Sequence, residues 1–401
     1  MAADMKDAVH PVDAGAVLGL LAGRRPRVLA LGEPTHGEDV LLEVRNEVFR
    51  GLVEDEGYLT IGLESDCLMG LAVDDYVVAG RGELDEVMER GFSHGFGSAP
   101  GNRELVRWMR EYNEGRPLAQ RVRFAGFDGP LEMAGGASPR QALTALYAFV
   151  TERAGVESVP WSMQTVEALL GADDQWTEPA AMMDPARSVG RTPEAERLRL
   201  IADDLAAALD MLAPQLVQAS SADEWERARL YARTARGLLR YHSWTADESP
   251  GRIAQLLGVR ASMMAGNVLA AARRGPVLFH AHNAHLQRAK SRIRMGGMPM
   301  DWWSAGAIVE TEMGADYAFF ATALGTIRHQ GVETPPSNTV EGLLYALSEE
   351  RCVVDSRRLD QLRGEAAFVP RVSEWFGYAP LDPDHLGGYD GVVFVRDAPG
   401  K

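Results

Sequence analysis

Seven short apolar runs constrain the fold of this chain more than any other feature. They are Arg27–Gly32, Tyr58–Leu63, Arg121–Phe127, Pro276–His280, Tyr317–Thr322, Arg351–Val354 and Gly391–Val395. They are rich in β-branched and aromatic residues and do not alternate with polar ones, the pattern of strands buried on both faces. Helical stretches lie between most of them. Strand and helix in alternation imply an α/β fold with a mainly parallel central sheet flanked by helices and right-handed crossovers.

About 148 residues separate the third run from the fourth, far more than one crossover helix needs. Leu198, Ile201, Leu205, Leu209 and Leu212 recur there at steps of three and four, one apolar stripe at helical period. Thr192 before Pro193 is a start signal, with Thr as N-cap and Pro in the first turn. Ser221 with Glu224 matches a capping box and opens the next helix. The reading is a helical insertion over 138–258, irregular near Gln175–Thr192, between two halves of one catalytic domain, 1–137 and 259–401.

The ends of the first four runs carry the chemistry. Glu33 and His36 follow the first, Glu64 the second, Asp128 the third, and His282 and His285 the fourth. Ligands of parallel sheets bind beyond the carboxyl ends of the strands. Carboxylates and imidazoles gathered there perturb one another's protonation, which is how acid–base sites are built. Asp128 reads equally as the N-cap of a following helix. His280, inside its strand, reads as bonded to backbone carbonyls. His94, in Gly91–Ser98, lies where a glycine-rich segment would cover a site as a lid.

Composition narrows the choice of chemistry. Forty-one basic residues against 57 acidic ones give a net charge of −16, which argues against nucleic-acid and anionic-membrane partners. Cys67 and Cys352 are the only cysteines, so there is no disulfide framework and no CxxC clip; two buried thiols in a reducing cytoplasm is the expectation. The N-terminus has no apolar core of a signal peptide, and no apolar run approaches the ~18 residues of a spanning helix. No G-x-S-x-G elbow, H-E-x-x-H or P-loop occurs, so neither a nucleophilic serine nor a nucleotide cofactor is expected. The histidines with nearby carboxylates would suit zinc or iron, but Arg45, nine residues past His36, repels a cation. That leans to metal-free activation of water by histidine, with no cofactor.

These residues resemble a known family. Gly32-Glu33-Pro34-Thr35-His36-Gly37 resembles the G-E-x-T-H-G motif of the erythromycin esterase family. Arg45 and Glu64 fall in register, Arg103–Asn113 resembles the family's W-M-R-x-Y-N helix, Arg260–Asn267 its R-D-x-x-M-A-x-N segment, and His282–His285 its H-N-x-H motif. Ala261 departs from the usual Asp, and Pro34 from a usual small residue. The resemblance implies metal-free ester or lactone hydrolysis on a natural product. His36 would be the base, Glu33 and Glu64 would hold the water or tune the imidazole, Arg45 would anchor the carboxylates, and His282 and His285 would complete the pocket. Asp128, Asn283, His94 and Arg260 would meet the substrate. Alternative readings are a biosynthetic enzyme using the same site for acyl transfer, elimination or cyclisation, a metal- or haem-binding protein, and a silent relative that only binds small molecules.

Overall fold

The structure is a computed structural model and describes residues 5, 7–132, 135–295, 298–366 and 368–400. Its strands are β1 (Val9–His10), β2 (Val28–Glu33), β3 (Thr60–Asp66), β4 (Arg123–Asp128), β5 (Leu131–Glu132), β6 (Gly135–Gly136), β7 (Val277–His282), β8 (Lys290–Met295), β9 (Met298–Trp303), β10 (Tyr317–Thr326), β11 (Arg351–Asp355) and β12 (Gly391–Asp397). Eight form one sheet in the order β1-β11-β12-β10-β2-β7-β3-β4. From β12 through β10, β2 and β7 to β3 the neighbours are parallel. β11 runs antiparallel to β12, and β1 antiparallel to β11.

All seven apolar runs are therefore strands, and the sheet is mainly parallel. β2 and β10 are buried along their whole length, as strands covered on both faces must be. One covering helix, Asp39–Glu56, buries Val40, Leu41, Val44, Val48, Phe49 and Leu52 at helical spacing and stops at the left-handed Gly57. β3 runs on to Asp66, so Glu64 sits inside the strand, whereas Glu33, Asp128 and His282 are the last residues of theirs. The hairpin β8–β9 was not expected from the sequence.

The chain divides into two compact units. One comprises Met1–Ser65, Met69–Phe127 and Val268–Lys401; the other Asp66–Leu68 and Asp128–Asn267, and it contains the span 138–258. The second unit is helical and packs around its own core. Leu198, Ile201, Leu205 and Leu209 from the helix Pro193–Met211 are buried with Leu143, Leu146 and Val150 and with Ala228, Ala232 and Leu239. The Thr192 side chain accepts from Ala195 N–H, and Ser221 and Glu224 make both bonds of the capping box. Residues 175–192 form short helical turns.

Among the described residues one helix, Arg252–Ala272, is long and apolar enough to cross a membrane by length and composition alone. It carries Arg260, which is paired with Asp128, and it buries Ala261, Met264, Ala265 and Val268.

Candidate active site

The strand register accounts for the first contacts. β2 and β7 are parallel with Leu31 opposite His280 and Glu33 opposite His282. Alternate residues of a strand share a face, so Glu33 and both histidines stand on one side of the sheet. Beyond β2 the chain turns through Pro34-Thr35-His36-Gly37, and Gly37 takes the left-handed φ of +85° that brings His36 back over its own strand. The result is a 2.6 Å hydrogen bond from His36 Nδ1 to Glu33 Oε1. Glu33 Oε2 faces His280 Nε2 at 3.2 Å, and His280 Nδ1 donates to the Leu31 carbonyl at 3.0 Å. Burial alone would raise the Glu33 pKa, but the two imidazoles hold it well below the usual carboxylate range.

Glu64 is the second hub. Its Oε1 lies 3.1 Å from His285 Nε2, and its Oε2 accepts the His282 backbone N–H at 2.9 Å. Glu64 Oε2 is also 3.9 Å from His36 Nε2. His36 thus stands between two buried carboxylates. With Nδ1–H donating to Glu33, the basic lone pair is on Nε2, on the Glu64 side. The His36 side chain is 37% exposed, so solvent reaches it.

His282 is held as the neutral imidazole. Its Nδ1 accepts the Ala284 N–H, which leaves the proton on Nε2, donating to the Pro34 carbonyl at 3.3 Å. Burial, then the neighbouring His36 and His285, lower its pKa to about 4 against the opposing pull of Glu64 and Glu33. His285 Nδ1 is buried and has no hydrogen-bond partner among the described residues.

Arg45 departs from its expected place. Among the described residues it makes no ion pair with a carboxylate. It is fully buried, its Nε and Nη2 donate to Asn46 Oδ1 and its Nη1 to Asn102 Oδ1. Burial lowers its pKa to about 10, and the charge on Glu33 works against that shift, so it stays a cation at neutral pH. Arg45 lines a small cavity of about 30 Å³ together with Glu33, Glu64, His280, Asn102 and Phe96.

The four residues expected to meet the substrate fare differently. Asp128 is fully buried and held by Arg260, whose Nε and Nη2 reach it at 2.6–3.1 Å. Asn283 bridges to β10: its Nδ2 donates to the Thr322 carbonyl and its Oδ1 accepts the Thr322 N–H. A Cβ at Gly32 would come within 2.0 Å of that Oδ1, which is why glycine precedes Glu33. His94 adopts φ +56° and its ring stacks 5.5 Å from Phe96, which lies 5.2 Å from His36.

Two contacts escape a reading of sequence. His280 holds Glu33 as well as a carbonyl, and the signal was its place two residues before His282 on the same face. His329 Nε2 meets the buried Glu38 Oε1 at 3.1 Å, and no spacing in the chain announces that pair. Cys67 and Cys352 are free and buried, and burial pushes both thiols up to about 12. Among the described residues, no three His, Cys, Asp or Glu side chains converge in a geometry that would hold a metal ion.

Solved structures share the fold. A Bacillus cereus protein is 16% identical, with a TM-score of 0.75 over 99% of this chain and 96% of its own. A succinoglycan biosynthesis protein is 14% identical, with a TM-score of 0.67 over 99% and 96%. An erythromycin esterase, EreC, solved as a histidine-to-asparagine mutant in its open conformation, is 20% identical, with a TM-score of 0.65 over 95% and 92%. At these identities the likeness is one of fold. A search of curated proteins found no match. The erythromycin esterase family model matches residues 53–398, a span that includes Glu64, Arg260, His282 and His285 and begins after His36 and Arg45. With that match over most of its length, the chain belongs to the erythromycin esterase family.

Proposed function

We propose that the protein hydrolyses an ester or lactone of a natural product, with His36 as the general base. Membership of the family supports a hydrolase. The observation that carries the finer reading is the placement of His36 between Glu33 and Glu64, at 2.6 and 3.9 Å. Glu33 fixes the tautomer and raises the basicity of the imidazole. A water donating one proton to Nε2 and the other to Glu64 has its oxygen lone pair turned outward. Its attack on the ester carbonyl carbon forms the new C–O bond as Nε2 takes the proton. Collapse of the tetrahedral species breaks the bond to the alcohol oxygen, which takes that proton back from His36. The products are an acid and an alcohol, and the base is regenerated.

Metal independence is part of this reading. The nitrogens of His36, His280 and His285 that face carboxylates already make hydrogen bonds or ion pairs, and the Arg45 cation lies on the same cavity. An apolar substrate body is supported by Val372 and Phe376, 87% and 79% exposed, on a segment whose Ala379 N–H donates to the Pro34 carbonyl. The test is turnover of apolar esters and macrolactones in ¹⁸O-water, with and without a chelator. Hydrolysis adds one water and places one ¹⁸O in the acid, and the chelator changes nothing. A product without the added water moves the protein to acyl transfer or elimination, and loss of activity with the chelator overturns metal independence.

A further inference from the structure

We infer that one or two ordered water molecules occupy the cavity behind His36 and join the Arg45 guanidinium to Glu33 and Glu64, making Arg45 a positioning residue that acts through water. A guanidinium has five N–H donors. Three of those of Arg45 go to Asn46 and Asn102, which leaves one on each Nη in a side chain that is 1% exposed. An unmet donor on a buried cation is costly, so these two N–H groups need an acceptor.

The charge of Glu33 is close enough to act on Arg45, yet no direct ion pair joins them among the described residues. Both line the same cavity, and Glu64 lines it too. A water needs roughly 10–15 Å³ of centre-accessible space and two to four polar partners. The cavity offers about 30 Å³ and meets the second condition with Arg45, Glu33, Glu64 and Asn102. Leu42, Leu63 and Phe96 add apolar surface to its lining. His36 does not line it, so this water is distinct from one poised at Nε2.

The consequence is electrostatic. Two carboxylates flanking one imidazole would repel each other and drive His36 towards the cation. A water-relayed positive charge offsets both, so Glu33 and Glu64 stay ionised while His36 remains able to accept a proton. Asn46 and Asn102 hold the guanidinium by neutral acceptors, which leaves its full charge for that purpose.

A crystal structure at about 1.5 Å tests the site directly. A water peak at roughly 2.7–3.2 Å from an Arg45 Nη and from an oxygen of Glu33 or Glu64 is expected. A direct guanidinium–carboxylate pair, a metal ion or an empty cavity overturns the proposal. The electrostatic role is read by NMR titration of the His36 ring, which needs no substrate and so is independent of the proposed hydrolysis. Arg45→Gln should raise the His36 midpoint by about one unit, and Arg45→Lys should restore most of it. Asn102→Asp, which keeps the acceptor but neutralises the guanidinium, should shift it the same way if Arg45→Gln fails to fold. A lower melting temperature with an unmoved His36 titration makes Arg45 merely structural and sinks the relay.

Discussion

Glu33 and Asp128 are each the last residue of a parallel-sheet strand, and each is buried, yet they do different things. Asp128 meets a guanidinium, which does not give up its proton near neutral pH, and the pair is locked in one state. Glu33 meets two imidazoles, side chains that unlike a guanidinium can gain or lose a proton, so its surroundings are chemically switchable. The edge of a sheet says where a reaction can be placed. The partner of each carboxylate says whether anything happens there.

The comparison breaks first at His36. His36→Asn should lower turnover by roughly 10²–10⁴-fold, the usual worth of a positioned base, with the melting temperature unchanged, because a half-exposed rim residue contributes little burial. Steady-state kinetics beside a melting curve decides it. Wild-type turnover in a folded His36→Asn protein would remove the switchable pair from the chemistry.

Arg260→Met is the counterpart in the other unit. It leaves Asp128 buried and charged without its fork, and stability should fall by about 3–5 kcal/mol in denaturant unfolding. Asp128→Asn added to it should recover part of that loss. A variant that keeps its stability but loses turnover would place Asp128 with Glu33 after all.

A smaller effect comes from pH, and each unit carries one reporter. His282 in the first and His242 in the second are both lowered to about 4, chiefly by burial. The unfolded chain takes up protons on them near pH 6.5, the folded one only near pH 4. Their contribution is therefore complete above about pH 6.5 and is lost as pH falls from there towards 4. Melting temperatures across that window should decline, and His242→Gln should flatten part of the decline without altering turnover at pH 7.5.

The smallest expected effect is at Cys67, which lies against Thr234 with its thiol pushed up to about 12. Iodoacetamide should leave the native protein unlabelled and active. Rapid labelling of Cys67 with loss of activity would instead point to a thiol nucleophile.

The sheet was legible because strands buried on both faces must be apolar throughout, and the runs ending at Gly32, Leu63 and His280 follow that, whereas Arg121–Phe127, with Arg123 in it and half-buried positions, is the edge strand β4. The antiparallel turn-back of β11 was not, since Arg351–Val354 has the same composition whichever way it runs. The caps at Thr192 and Ser221 were readable because they are local. Glu33, His36, Glu64, His282 and His285 were gathered correctly at one edge because strand ends determine their place. Arg45 was read as anchoring the carboxylates, and Asp128 and Asn283 as meeting the substrate; the partners the fold gives them, Asn102, Arg260 and Thr322, are 57, 132 and 39 residues away along the chain. Only folding reveals such pairings.

The contact between Gly32 and Asn283 has a historical consequence. A side chain at 32 would collide with the Asn283 amide, and losing that amide first would strand the two Thr322 backbone groups it pairs. Neither position can change ahead of the other without a damaged intermediate. A glycine before the turn that carries His36 and an asparagine between two histidines, about 250 residues apart, are therefore inherited as one unit. Any relative that has given up the asparagine is the place to look for a bulkier residue at the glycine.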